Sequence, residues 1–310
     1  MPSPARCVLP LACAMLLALP LAASAQDITV DPAQVRLEVD DIRRFADALR
    51  EIHGGASDTV AVLERVYIAN ASPGFRAYAE RYGVTAGSIA GAISENPLRF
   101  ANPDALADSI LAQERVLHEG FRRLQELFPR AAYPPVWFVI GHNGPGGMTQ
   151  RVGVIVAAER FANRPRDIVP LVMHELAHFQ QAMVQGVETY QQIYGPEQTL
   201  LKLALREGGA ELVAELTTGA HINPAAERYG TSREAALWAE FRADMHDRDP
   251  GEWMFVRPAD PERPPDLGYW IGYRIARAYY DNAQDKAQAL LDILSLTDFE
   301  AFVAKSNYSP

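Results

Sequence analysis

One stretch of the sequence decides how the rest of the chain is interpreted: residues 168–179 read IVPLVMHELAHF. Its apolar residues predict a buried helix over about 167–184. Four residues along an α-helix turn the chain by about 400° and advance it by about 6 Å. His174 and His178 therefore project from one face, one turn apart, where two imidazoles can bind the same cation. The stretch predicts a metal site on a core helix.

Glu175 follows the first histidine and lies about a quarter-turn around the helix, close to a bound metal but poorly aimed to bind it. From there its carboxylate can take a proton from a metal-bound water, so we expect it to be the general base. Two imidazoles with a carboxylate suit zinc, and a catalytic zinc keeps one position for water. We therefore expect one Zn²⁺ per chain. A metzincin would continue with Gly and a third His, but Gln181 and Val184 stand in those places and exclude that class.

A second motif, REGGAE at residues 206–211, offers the missing ligand. Glu207 and Glu211 lie one turn apart on a helix predicted over 199–218, within an apolar stripe where acids need a partner. Gly208 and Gly209 weaken this helix, which suggests close approach of another backbone. We expect Glu207 to bind the metal and Glu211 to accept the N–H of a ligand histidine.

The alternative for this motif is a solvated acidic face that continues to Glu215 and pairs with Lys202 and Arg206. Exposed charges at this spacing are common in helices. The two interpretations differ in whether Glu207 and Glu211 are buried or exposed.

These two motifs resemble the gluzincin pattern, in which the first Glu of the downstream helix is the third zinc ligand. Together with Gly268-Tyr269-Trp270-Ile271-Gly272-Tyr273 they resemble a family of predicted zinc-dependent proteases of unknown function, related to gliding-motility lipoproteins. The resemblance covers roughly residues 100–305 and implies a zincin-like metallopeptidase fold. The gap between His178 and Glu207 is longer than in the best-known gluzincins, which leaves Glu188 or Glu211 as alternative ligands.

Two tyrosines one turn apart, Tyr269 and Tyr273, can each stabilise the oxyanion of a tetrahedral intermediate. We expect Tyr273 to have this catalytic role because Arg274 beside it adds positive charge; aromatic packing relieved by glycine is the alternative. His142 and His221 lie in predicted loops and are interpreted as surface residues.

The spacing of apolar residues along the chain predicts an α+β fold that is mostly helical, with a small sheet beside the 167–184 helix. A helical N-terminal part covers about 26–130 and includes one long helix over 103–128. Strands are expected at 136–140 and 152–157, around a glycine-rich loop. The second strand is a candidate sheet edge for an extended peptide substrate. We expect residues 26–310 to form a single domain.

Residues 1–25 have the pattern of a secretory signal peptide, with Arg6, an apolar run and the cleavage site Ala23-Ser24-Ala25. A lipoprotein anchored through Cys13 and an uncleaved anchor are the alternatives. Cys7 and Cys13 are the only cysteines, so the predicted mature chain has no disulfide and no thiolate metal site. The expected location is the periplasm or the exterior.

The 310 residues are 48% hydrophobic and carry a net charge of −10, which favours a globular protein and argues against binding nucleic acid. No later segment reaches the length of a membrane span. The sequence predicts an exported zinc metallopeptidase that acts on a peptide or protein substrate. A catalytically silent zinc-binding envelope protein and a zinc hydrolase of a non-peptide amide or ester are the competing functions; the oligomeric state stays open.

Overall fold

The computed structural model describes residues 28–195 and 197–310. The predicted signal peptide lies outside these residues. Within the described part of the chain, no helix combines the length and the apolar character that a membrane span requires.

Four short strands form one mixed sheet: β1 (Leu37–Glu38), β2 (Val136–Val139), β3 (Gly147–Gln150) and β4 (Gly153–Ala157), in the order β1-β2-β4-β3. The two predicted strands, β2 and β4, are neighbours and run parallel. β3 pairs antiparallel with β4 and lies at the edge of the sheet. The expectation that residues 152–157 form a free edge is therefore wrong, because β4 has a strand on each side.

The remaining elements are mainly helices, so the predicted α+β fold is confirmed. They are α1 (Asp40–His53), α2 (Thr59–Val62), α3 (Pro73–Tyr82), α4 (Ala86–Glu95), α5 (Pro97–Phe100), α6 (Pro103–Leu111), α7 (Glu114–Leu127), α8 (Ile168–Gln185), α9 (Val187–Gln192), α10 (Leu200–Thr218), α11 (Pro224–Thr231), α12 (Glu234–Asp244), α13 (Leu267–Asn282), α14 (Lys286–Leu294) and α15 (Phe299–Ser306).

The single helix expected over 103–128 is wrong, because the chain breaks it into α6 and α7 at a turn at residues 112–113. The two halves pack on different partners: α6 contacts α1, whereas α7 contacts α8 and α10. Both helices bury their apolar residues, so the apolar periodicity continues across the break and predicts one helix.

Helix α8 lies between the sheet and α10, with β3 and β4 on one side. Helix α10 in turn packs along α13, and glycines set their distance. A Cβ on Gly208 would lie 2.0 Å from the carbonyl carbon of Gly272, and one on Gly272 would lie 1.8 Å from the oxygen of Ala204. The close backbone approach predicted from Gly208 is confirmed. It places the acids of α10 and Tyr269 of α13 beside the histidines of α8.

Candidate metal centre

Three buried side chains from α8 and α10 converge on one point. His174 Nε2 lies 3.2 Å from His178 Nε2, and Glu207 Oε2 lies 3.2 and 3.0 Å from the two nitrogens. Four ligands around a tetrahedral zinc at 2.0–2.1 Å are separated by about 3.3 Å. The residues are at most 6% exposed. Among the described residues, these form the group whose ligand atoms are close enough to hold a metal ion.

Gln181 fixes which nitrogen of His178 faces this point. Its Nε2 donates to the backbone oxygen of Arg206 at 2.9 Å, so its Oε1 is left as the acceptor 2.9 Å from His178 Nδ1. His178 Nδ1 must then carry the proton, and Nε2 presents a lone pair. In the sequence, Gln181 served only to exclude metzincins, and its contact with His178 was not predicted.

Glu211 faces the corresponding nitrogen of His174 at ion-pair distance. Its Oε2 lies 3.6 Å from His174 Nδ1, and neither atom has a hydrogen-bond partner among the described residues. Its Oε1 accepts from His221 Nδ1 at 2.9 Å and from the N–H of Ile222 at 3.1 Å. The interpretation of His221 as a surface residue is wrong, because it is half-buried and holds Glu211 in place.

The electrostatics of the cluster favour positive charge. Burial lowers the pKa of His174, but hydrogen bonding to Glu207 and Glu211 offsets this and raises it to about 10. Burial also opposes ionisation of Glu207, yet the two histidines hold its pKa well below the usual range. The three buried atoms that converge here, two imidazole nitrogens and one carboxylate oxygen, lie only against one another. A shared cation satisfies all three.

The alternative of a solvated acidic face does not hold for Glu207 and Glu211, since each is 4% exposed. Arg206 is 3% exposed and lies between two rings, with its guanidinium carbon 3.1 Å from the centroid of Tyr190 and 4.2 Å from that of Tyr194. Tyr194 also donates its hydroxyl to Glu207 Oε1 at 3.1 Å. Glu207 is thus held at both oxygens.

The other acids considered for this site lie elsewhere. Glu188 is exposed on α9 and is not part of the convergent group. Glu215 pairs with Arg277 at 2.9 Å.

Glu175 points from α8 towards β3. Its Oε2 accepts from Thr149 Oγ1 at 3.0 Å, and the same hydroxyl reaches the backbone oxygen of Glu175 at 2.6 Å. Gly147 leaves the space for the carboxylate, because a Cβ there would lie 2.7 Å from Glu175 Oε1. Burial raises the pKa of Glu175. The carboxylate thus lies against the edge strand β3 and is not one of the three convergent ligand atoms.

Of the two tyrosines, Tyr269 is the one beside a histidine of the cluster: its ring stacks on His174 with centroids 6.0 Å apart. Tyr273, the residue predicted from the sequence to stabilise the oxyanion, packs edge-on against His221 with ring centroids 4.8 Å apart. Burial raises the pKa of Tyr273 to about 12 and that of Tyr269 well above its usual value, so both phenols keep their protons.

The reason for selecting Tyr273 also fails. Arg274 donates from Nε to Glu234 Oε1 at 2.7 Å, so its charge is used in an ion pair rather than at the metal cluster. The two tyrosines lie one turn apart on α13. Sequence spacing alone does not show which of the two turns faces α8.

Comparison with known protein families gives a match over residues 250–310. The family model described as "Gliding motility protein GldB" matches residues 250–310, the segment that contains α13. This supports the predicted relation to gliding-motility lipoproteins over that segment. No curated protein and no solved structure gives a significant match.

Proposed function

We propose that this chain is an exported zinc metallopeptidase of the gluzincin type with a zincin-like fold. The observation that carries the proposal is the convergence of His174 Nε2, His178 Nε2 and Glu207 Oε2 within 3.0–3.2 Å, with a separate carboxylate, Glu175, on the same helix. Two imidazoles and one carboxylate form a donor set that zinc accepts with one position left open. His174, His178 and Glu207 would hold the ion.

Zinc, when bound, activates water and polarises a substrate carbonyl. Glu175 takes the proton of the attacking water and returns it to the leaving amine. Burial raises the pKa of Glu175 above that of an exposed carboxyl, which makes it a better proton acceptor than a solvated carboxylate. Thr149 keeps one carboxylate oxygen in place through its hydroxyl, so the other oxygen is the one that exchanges the proton.

Of the two tyrosines of α13, Tyr269 is the better placed to support the carbonyl oxygen as it becomes negative. Its ring lies against His174, and its phenol remains protonated and can donate. Tyr273 is one turn further along α13 and packs on His221 instead.

The edge of β3 gives an extended peptide a place to bind. β3 has β4 on one side, and no other described strand pairs with it. A substrate strand can therefore hydrogen-bond to its main chain, next to Thr149 and Glu175. This arrangement favours a peptide over a small amide or ester, because main-chain pairing needs several consecutive peptide groups.

Cleavage of a proteome-derived peptide library tests this proposal. We expect the zinc-loaded protein to cut a defined set of peptides and Glu175→Gln to lose at least about 100-fold in rate while keeping its zinc. Equal rates for both proteins would contradict the role of Glu175. No cleavage by the wild type would favour the silent zinc-binding protein instead.

A further inference from the structure

The segment before α13 displays one aromatic ring to solvent under backbone strain. Phe255 has φ +67° and is 56% exposed, and Val256 after it is 49% exposed. A bulky residue in the left-handed region is uncommon and is kept only where the surroundings enforce it. Because more than half of the ring is exposed, burial in the core does not account for this strained conformation.

The neighbouring residues enforce this conformation. Met254 before it is fully buried and packs where Gly268 leaves room, since a Cβ on Gly268 would lie 2.6 Å from Met254 Cγ. The N–H of Phe255 donates to Asp266 Oδ1 at 2.8 Å. Asp266 is the N-cap residue of α13, yet its side chain caps no N–H of that helix and serves Phe255 instead. The side chain of Asp266, a residue type that usually caps a helix, therefore stabilises the backbone conformation that turns the Phe255 ring outward.

The ring lies next to the metal cluster. Phe255 packs edge-on against Tyr269 with centroids 6.2 Å apart, and Tyr269 stacks on His174 at 6.0 Å. One ring thus separates Phe255 from a metal ligand. Another exposed aromatic, Tyr194, is 41% exposed and bonds to Glu207. Exposed aromatic surface is therefore present beside the site on two segments, the one that follows α9 and the one that precedes α13.

We propose that Phe255, with Val256, forms an apolar subsite that selects peptide substrates with a large hydrophobic side chain next to the cleaved bond. The inference rests on the proposed function, because it places a peptide at the metal cluster. Burial of the exposed ring against such a side chain supplies the binding energy, and a charged side chain at the same place loses its hydration without a partner. The strain in Phe255 keeps the ring available before substrate arrives.

The test uses two succinyl hydroxamates that differ only in a benzyl or a methyl side chain beside the zinc-binding group, titrated calorimetrically into the zinc-loaded protein. We expect the benzyl compound to bind the wild type about tenfold more tightly or better. Phe255→Asn should bring the two affinities within about threefold, because Asn accepts the left-handed backbone but removes the ring. Phe255→Leu should keep most of the preference, and Val60→Ala, an exposed apolar residue on α2, should keep all of it.

An unchanged preference in Phe255→Asn, or no preference in the wild type, would overturn the inference. Thermal unfolding separates a role in folding from one in selection: Phe255→Asn should unfold at or above the wild-type temperature, since it relieves strain. A benzyl preference in a protein that cleaves no library peptide would uphold the subsite while rejecting the peptidase. Failure of both hydroxamates to bind would contradict the metal site and the subsite together.

Discussion

At the scale of single residues, the roles of the two acids of α10 differ in a measurable way. Glu207 Oε2 is one of the three convergent atoms, whereas Glu211 faces His174 at its outer nitrogen, Nδ1, and lies outside the convergent group. Glu207→Ala should therefore remove zinc almost completely. Glu211→Ala should weaken affinity by roughly 10–100-fold and still bind at saturating zinc.

Competition with a chelator of known affinity measures both variants, with Glu188→Ala as the exposed control that should match the wild type. Equal, small effects from the two α10 variants would mean that neither acid is a ligand.

Gln181 gives a second prediction at this scale. It is 1% exposed and accepts from His178 Nδ1, so Gln181→Leu leaves that N–H without a partner and lets the ring turn. We expect a loss of roughly 10–100-fold in zinc affinity. Gln191→Leu, on exposed α9, is the matched control. An affinity equal to that of the wild type would show that the amide does not orient the histidine.

The three candidate ligands could be predicted from the sequence because helical spacing and helix burial mark them. His174 and His178 are one turn apart on one helix, and Glu207 stands in an apolar stripe of the next long helix. Sequence reasoning missed Gln181, which is one turn from His178 on α8 but reads as an ordinary polar residue there. It also missed Tyr194 and His221, which reach Glu207 and Glu211 across 13 and 10 residues, beyond a helix end. No periodicity marks such pairs. The choice between Tyr269 and Tyr273 depends on the rotation of α13, which tertiary packing sets.

At the scale of elements, the contact between α10 and α13 places the acids beside α8. Gly208→Ala puts a methyl group against the backbone of Gly272, which cannot move without separating the helices. We expect a loss of about 1–3 kcal/mol or more in the free energy of unfolding. The control is Gly91→Ala on α4, where no atom lies within 4 Å of the added Cβ; it should gain about 0.5–1 kcal/mol.

Urea unfolding of both variants measures this difference. A Gly208→Ala protein as stable as the wild type would mean that the two helices are not in backbone contact.

The elements themselves were predictable to different degrees. α8 and α10 begin and end within one residue of the predicted ranges, because long apolar periodicity and the N-cap Thr199 define them. β3 was missed because Gly147-Met148-Thr149-Gln150 has a single β-branched residue and its pairing with β4 is a tertiary contact. The break between α6 and α7 was missed because no glycine or proline marks it.

At the scale of the whole molecule, metal binding and folding should be coupled. Ligands from α8 and α10 meet only in the folded chain, so zinc binds the native state in preference to the unfolded one. With free zinc at about 100 times its dissociation constant, the native state gains about 2.7 kcal/mol. The unfolding temperature should rise on adding zinc and fall on adding a chelator, whereas His174→Ala should respond to neither. A wild type insensitive to zinc would contradict this coupling.

Whether this chain holds zinc at His174, His178 and Glu207 is tested most directly by the zinc content of the purified protein and of His178→Ala. Elemental mass spectrometry after removal of loosely bound ions measures it. We expect one zinc per wild-type chain and none in the variant, because the variant keeps only two of the three protein ligands. A wild type that holds no zinc when zinc is supplied, or a His178→Ala protein that keeps one per chain, would contradict this expectation.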